Sequence, residues 1–363
     1  MSDQQPPATP SPGPGDPDPS ARPTGDPTAP QPGPPPQPWE PSVAPGAYGA
    51  PPPGPYGGQP WYPGGPAAWP APAYPGGWFP PGLDPNDPLV NPPGAGVGGW
   101  WARCVGAVRR GWPLLVPILL LTQVLPAALM SLLSLAVDPT ARWDADLAEN
   151  ADALPDTFLA DLAAMLGVLV GALVVFGLVQ AVGWAAGTWV VARQAAGEPV
   201  SLGGALRHGA RRALGLWGWS LLVGVLVGVG VCFCVLPGIY LVFALSLAGP
   251  VYLFERQNPI GRAFRMFHER LGLVLGRMAL VAVAFVVVSV VAGIVEAVGG
   301  LPFGVTPLDS PGTAVGIVVV SLTGAVLALP AYLAQLVGLV VTYAEQRACE
   351  GPVNAARLAA ELG

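Results

Sequence analysis

Between Ala213 and Phe254 the chain carries no charged side chain over 42 consecutive positions. A helix rises ~1.5 Å per residue, so such a run extends about 63 Å, roughly twice a ~30 Å hydrocarbon core. Its flanks decide how it crosses. Arg211 and Arg212 precede it, and Arg256, Arg262, Arg265, Arg270 and Arg277 follow it. Short basic loops stay on the cytosolic side, so two basic flanks require an even number of crossings. Pro237 and Gly238 sit near the middle. Proline ends one helix and glycine relaxes the backbone, which predicts a hairpin turn there, outward over 213–236 and back over 239–254. The return leg is short, and a re-entrant or interfacial leg is the alternative.

Other apolar runs repeat the theme at 112–137, 162–191, 278–298 and 312–343, giving six expected spans. The fold class expected is all-α, a polytopic helical membrane bundle. The chain is 52% hydrophobic and only 10% charged, well below the ~25% charged residues of a soluble domain. All 16 basic residues are arginine. Fifteen fall on one side of the expected topology and only Arg142 on the other, beside seven acids between Asp138 and Asp161. The positive-inside rule then puts both termini in the cytoplasm of a cell with an inner (plasma) membrane. The partners expected are the lipid bilayer and anionic lipids at the cytosolic face; no nucleic acid is expected.

Residues 1–99 differ in kind. They hold 33 Pro and 18 Gly, more than half the segment, with seven acids and one arginine, Arg22. Proline at that density forbids helix interiors and sheet ladders, so a disordered, acidic cytosolic tail is expected. Its loss, through residue 95, is expected to leave the membrane domain, 100–363, as stable as before. Aromatics recur along it, among them Tyr48, Tyr56, Trp61, Trp69 and Trp78. Multivalent contact with a protein partner is one reading, and a plain tether is the other.

Two basic segments on the cytosolic side read as amphipathic. Asn258–Pro259 makes an N-cap with proline at the first helical position. Ile260, Phe264, Phe267 and Leu271 then share a face, leaving Arg262, Arg265 and Arg270 for headgroup phosphates. Ser201 starts a similar helix bearing Arg207, Arg211 and Arg212. The two segments align at an offset of 58 residues, through a duplication or by chance. These six arginines are the candidate lipid-interface residues.

Chemistry-bearing residues are sparse. Glu296 is the one clear carboxylate inside a span, and Gln180 and Gln335 are intramembrane polar candidates for a pathway or for helix–helix hydrogen bonds. Cys232 and Cys234 lie in an apolar run with no further ligand, and are expected to pack as small hydrophobes. No HExxH, GxSxG or P-loop pattern is present, so no catalytic site, metal or cofactor is expected.

The stretch "LPGIYLVFALSLAGPVYLFERQNPIGRAF" and the close "VTYAEQRACEG" resemble the membrane region associated with glycerophosphoryl diester phosphodiesterases. The features in place are the Pro-Gly, an apolar leg ending in Glu255, and Tyr343, Arg347, Glu350 and Gly351; Glu345 stands where that group carries Asp. The resemblance covers about residues 100–360 and implies a multi-helix bacterial membrane protein. The phosphodiesterase barrel and its His-Arg-Gly motif are not in the chain, so no hydrolase activity is expected. Two roles follow: a non-enzymatic scaffold or envelope-associated component with an interacting tail, or a small-molecule or lipid transporter built on a duplicated unit.

Overall fold

The computed structural model describes residues 83–149, 154–304, 307–308 and 310–363. Most of the proline-rich tail, with its aromatics, lies outside the described residues. Among the described residues there is no strand, and six helical stretches are long and apolar enough to cross a membrane. The chain is a multi-pass helical membrane protein, as the six apolar runs predicted.

The first stretch joins α1 (Gly96–Leu119), a π-helical segment (Leu120–Val124) and α2 (Leu125–Ala136). Pro113, Pro117 and Pro126 interrupt its backbone ladder, and the π segment absorbs the mismatch. Within it the Thr122 hydroxyl donates to the Ile118 carbonyl at 2.7 Å, and Gln123 Nε2 donates to the Gln180 carbonyl at 3.0 Å. A short helix, α3 (Thr140–Glu149), caps the arginine-poor end. Trp143 closes it, with its ring tilted against Phe158 at 4.6 Å and its indole N–H donating to Asp161 at 3.3 Å.

Next come α4 (Phe158–Ala195) and α5 (Leu202–Phe233), which pack along most of their arginine-rich halves. Gly183 faces Thr122, Gly187 faces Leu336, and Gly209 lies against the Val182 carbonyl. Of the small-residue pairs in the sequence, Gly183/Gly187 marks a close contact, whereas Gly167/Gly171 and Gly224/Gly228 face open space. At 38 residues, α4 is about 57 Å long, so it projects beyond any bilayer core.

The return leg is two helices, α6 (Val235–Ala244) and α7 (Ala248–Glu255), joined by a turn at 245–247. This corrects the expected hairpin turn. The break between α5 and α6 is one extended residue, Cys234, at φ −172° and ψ 143°. Pro237 and Gly238 lie inside the first turn of α6. A proline there forfeits only an N–H that has no intrahelical acceptor, so it starts α6 rather than ending α5. Gly238 serves close packing, since a side chain would strike Val231. The cysteines also differ from expectation: Cys232 and Cys234 are exposed at this break, and all four thiols are free.

Then follow α8 (Pro259–Glu269), α9 (Leu271–Gly300), a 3-10 turn at Leu301–Phe303, α10 (Pro311–Leu327), α11 (Leu329–Glu350) and α12 (Ala355–Leu362). Helix α9 runs antiparallel to α11: Arg277 meets Glu345, Val281 meets Gly338, and Phe285 meets Tyr332. Pro330 breaks α10 from α11 at Ala328, freeing α10 to pack on α2 and α9.

The core is concentrated at the arginine-rich end, where Leu115, Ile118, Val190, Val251, Met266, Leu336 and Tyr343 are all fully enclosed. Toward the other end the large apolar side chains point outward, among them Leu166, Val170, Val225, Val283 and Val287. A water-soluble protein does not carry such continuous exposed apolar surface, and a lipid-facing one does.

Candidate functional site

Two constructions stand out, a lattice of ion pairs at the arginine-rich end and a cavity inside the bundle. The lattice is centred on Glu255, the last residue of α7. Arg262 of α8 donates to it at 2.9 Å through Nε and also reaches Glu350 of α11. Tyr343 donates its hydroxyl to Glu255 at 3.0 Å, and Arg347 donates to that same hydroxyl at 2.8 Å. Arg347 then holds Glu361 of α12 at 2.9 Å. Phe254 stacks on the Tyr343 ring at 4.8 Å. Burial by itself would lower the pKa of Arg262, but its hydrogen bonds to Glu350 and Glu255 and their charges raise it. Such forked arginine–carboxylate pairs fix geometry as well as charge. Glu255, Tyr343, Arg347 and Glu350 therefore meet, and with Arg262 and Glu361 they make one clamp joining α7, α8, α11 and α12.

Deeper in lies a second pair. Arg277 gives two hydrogen bonds of 3.1 Å to Glu345, and both side chains are under a tenth exposed. Asn91 Nδ2 donates to the same carboxylate at 2.6 Å. Trp100 lies 5.7 Å from the Arg277 guanidinium and donates its indole N–H to Thr342 at 3.0 Å.

Asn91 belongs to the stretch expected to be tail, which requires a correction to the 1–99 boundary. Leu89, Val90 and Asn91 are essentially inaccessible to solvent. Asp87 accepts from the Leu89 and Val90 amides and from the Ala355 amide at the start of α12. Arg103 donates to the carbonyls of Val90 and Pro85 and to Asn91 Oδ1. The sequence "DPNDPLVN" reads as more proline-rich tail, but its leucine, valine and two polar anchors clasp the bundle.

The six candidate lipid-interface arginines divide. Arg262 is committed to the lattice, and Arg270 donates to the Cys349 carbonyl at 2.9 Å. Arg265, Arg207 and Arg211 are exposed, Arg212 is half-buried, and none of these four has an ion pair among the described residues. Helix α8 starts as predicted, with Asn258 Oδ1 accepting from the Ile260 amide at 3.1 Å. Its buried side, however, is Ala263, Met266 and Phe267, packed into the protein, while Phe264 and Leu271 stay exposed. Tyr240 of α6 seals its far end, 2.7 Å from His268 Nε2.

The cavity, about 990 Å³, lies among α4, α5, the α6–α7 leg, α9 and α11 and is open on one side, where the exposed Val225, Val242 and Val286 are part of its lining. Trp184, Trp217, Phe243, Phe285 and Tyr332 supply most of its aromatic wall. Gln180 and Gln335 line it, so the structure brings these two together at one site. Glu296 is elsewhere. It accepts a hydrogen bond from Ser131, which lies 3.4 Å from the Ser321 hydroxyl, a polar bridge among α2, α9 and α10. Among the described residues, no three His, Cys, Asp or Glu side chains are grouped to hold a metal ion.

No family model matches the chain, and neither a curated protein nor a solved structure does.

Proposed function

We propose that this multi-pass membrane protein binds a lipid-like amphiphile inside its bundle, as a carrier or transporter. The observation that carries this reading is the cavity. Its volume of about 990 Å³ suits a drug- or lipid-sized guest, its wall is mostly apolar and aromatic, and a few glutamines and serines supply orientation. A scaffold needs no internal space, so the cavity favours the transport reading of the sequence over the scaffold reading. The ion-pair lattice supports it as well. It makes one end of the bundle rigid while the opposite halves of α4, α5 and α9 are loosely packed and exposed. On the positive-inside rule we read the arginine-rich end as cytosolic.

The test uses the purified full chain and a phospholipid bearing a photoactivatable diazirine in its acyl chain. Expected crosslinks map to cavity residues such as Trp217, Phe243 and Gln335, and disappear in Gly224→Trp. Gly224 lines the cavity with open space before it, so the larger ring fills the site without a backbone clash. Crosslinks spread evenly over outward residues such as Val283 and Val287, and unchanged by Gly224→Trp, would sink the proposal.

A further inference from the structure

No charged side chain lines the cavity itself, but just beyond its arginine-rich end, taken here as its mouth, stands a group of cations. Helices α5 and α7 run antiparallel in a fixed register: Tyr252 fills the space before Gly215, and Gly249 faces Leu216 at 3.8 Å. Leu216 and Leu253 line the cavity. Toward the arginine-rich end stand Arg212, one turn before Leu216 on the same face of α5, and Arg256, the left-handed residue that ends α7 three positions after Leu253.

Helix α4 contributes from across the mouth. Its Trp189 ring stacks on the His208 imidazole at 5.8 Å, and Arg193 sits 4.7 Å over the other reach of that indole. The guanidinium groups of Arg212, Arg193, Arg256 and Arg211 all act electrostatically on His208. Among the described residues, one side-chain carboxylate forms an ion pair with these four arginines: Glu198, 3.2 Å from Arg193 Nε. That ion pair is too poorly aligned to be a hydrogen bond, so the buried Arg193 Nε keeps no hydrogen-bond partner, and neither does the buried His208 Nε2. Arg256 spends only one nitrogen, Nη2, on the Leu362 and Glu361 carbonyls. Elsewhere at this end of the molecule, Arg262, Arg277 and Arg347 are each matched to a carboxylate. Arg212 and Arg256 pair with no carboxylate among the described residues, as Arg207 and Arg265 also do not; what this cluster adds is two buried polar atoms without a hydrogen-bond partner, Arg193 Nε and His208 Nε2.

Resting on the cavity reading, we propose that Arg193, His208, Arg212 and Arg256 form the headgroup site for an anionic phospholipid whose acyl chain enters the cavity. Forked guanidinium donors suit the phosphodiester, and a row of cations one turn beneath an apolar cavity matches the layout of a phospholipid. The same donors suit a free phosphate, which has no chain to occupy the cavity.

The experiment measures lipid retention by native mass spectrometry on the full chain in neutral detergent. The probes are dioleoyl phosphatidylglycerol, dioleoyl phosphatidylcholine, deacylated glycerophosphoglycerol and inorganic phosphate. Wild-type protein is expected to prefer the anionic lipid, and Arg212→Gln with Arg256→Gln to cut that preference about tenfold. Arg265→Gln, an exposed arginine away from the mouth, is expected to leave it intact. Arg212→Lys, which keeps charge but loses the fork, is expected to fall between, provided its melting temperature matches wild type. Equal retention of the two lipids overturns the headgroup site while leaving the cavity reading standing if Gly224→Trp still abolishes both. An equal loss in Arg265→Gln also overturns it, because the effect is then diffuse surface charge. Glycerophosphoglycerol or inorganic phosphate bound as tightly as the lipid overturns the phospholipid assignment in favour of a soluble phosphate. Retention unaffected by Gly224→Trp refutes the cavity reading itself.

Discussion

Replacing Glu345 by leucine strands a charge. The Arg277 guanidinium is about 7% exposed and depends on this carboxylate for both of its hydrogen bonds, and the Asn91 amide loses one of its two acceptors. Breaking a buried pair by removing one partner costs about 3–5 kcal/mol, because the remaining ion is desolvated without compensation. At about 2 °C per kcal/mol for a protein of this size, Glu345→Leu should melt roughly 6–10 °C lower. Replacing both partners, Arg277→Met with Glu345→Leu, removes the stranded charge, and a fully apolar exchange is often near neutral. The double variant should therefore regain most of the loss. The assay is intrinsic-fluorescence melting of the detergent-solubilised protein at one fixed scan rate, since membrane proteins unfold irreversibly. A single variant within about 1 °C of wild type refutes the reasoning, since the pair would then be solvated. A double variant as unstable as the single one refutes it differently, by showing that packing rather than charge is lost.

Three further outcomes use the same measurement. Deleting residues 84–95 should destabilise the bundle by several kcal/mol, since it removes the fully buried Leu89, Val90 and Asn91 at about 1.5–3 kcal/mol for each large apolar side chain. Gly209→Ala should cost about 1–3 kcal/mol, because the new methyl meets the Val182 backbone carbonyl, whereas Gly203→Ala and Gly261→Ala meet nothing within 4 Å and should be neutral or stabilising. Asn258→Ala should cost about 1 kcal/mol by uncapping α8, with Asn258→Ser retaining most of it.

The helices and their order were legible in the sequence because hydropathy reports the solvent directly, and six apolar runs with a single charged residue, Glu296, leave little choice. The N-cap at Asn258 was legible for a local reason, an acceptor side chain placed just before proline. What stayed hidden was set by contacts far along the chain. Nothing adjacent to Asn91 announces that Glu345, 254 residues on, will accept its amide. Pro237–Gly238 is a turn signal by composition, but proline is equally at home in a first helical turn, and Cys234 makes the break. The apolar periodicity of α8 gave the right helix and only part of the right face, since the fully buried Ala263 and Met266 were passed over in favour of the larger Phe264, which lies exposed. Gln180 and Gln335 were visible as polar residues in spans; that they share a cavity depends on how α4 and α11 pack.

The clasp at Asp87 and Asn91 carries a consequence for how the protein is made. Asp87 waits for the Ala355 amide, 268 residues later, and Trp100 waits for Thr342, 242 residues later. At a synthesis rate of ~5–20 residues per second, that interval is on the order of ten seconds to a minute. Throughout it, the Trp100 indole of the first helix lacks Thr342, and Asp87 and Asn91 just before that helix, though held locally by the Leu89 and Val90 amides and by Arg103, each lack a distant partner. The arginine of α9 likewise emerges before the glutamate of α11 that neutralises it. Assembly of the arginine-rich end is thus a late event, dependent on the last helices rather than nucleated by the first. A ribosome that stalls before residue 329 leaves a nascent chain whose opening segment displays polar groups without their distant partners to the insertion machinery, a mark by which membrane quality control can tell an unfinished chain from a finished one.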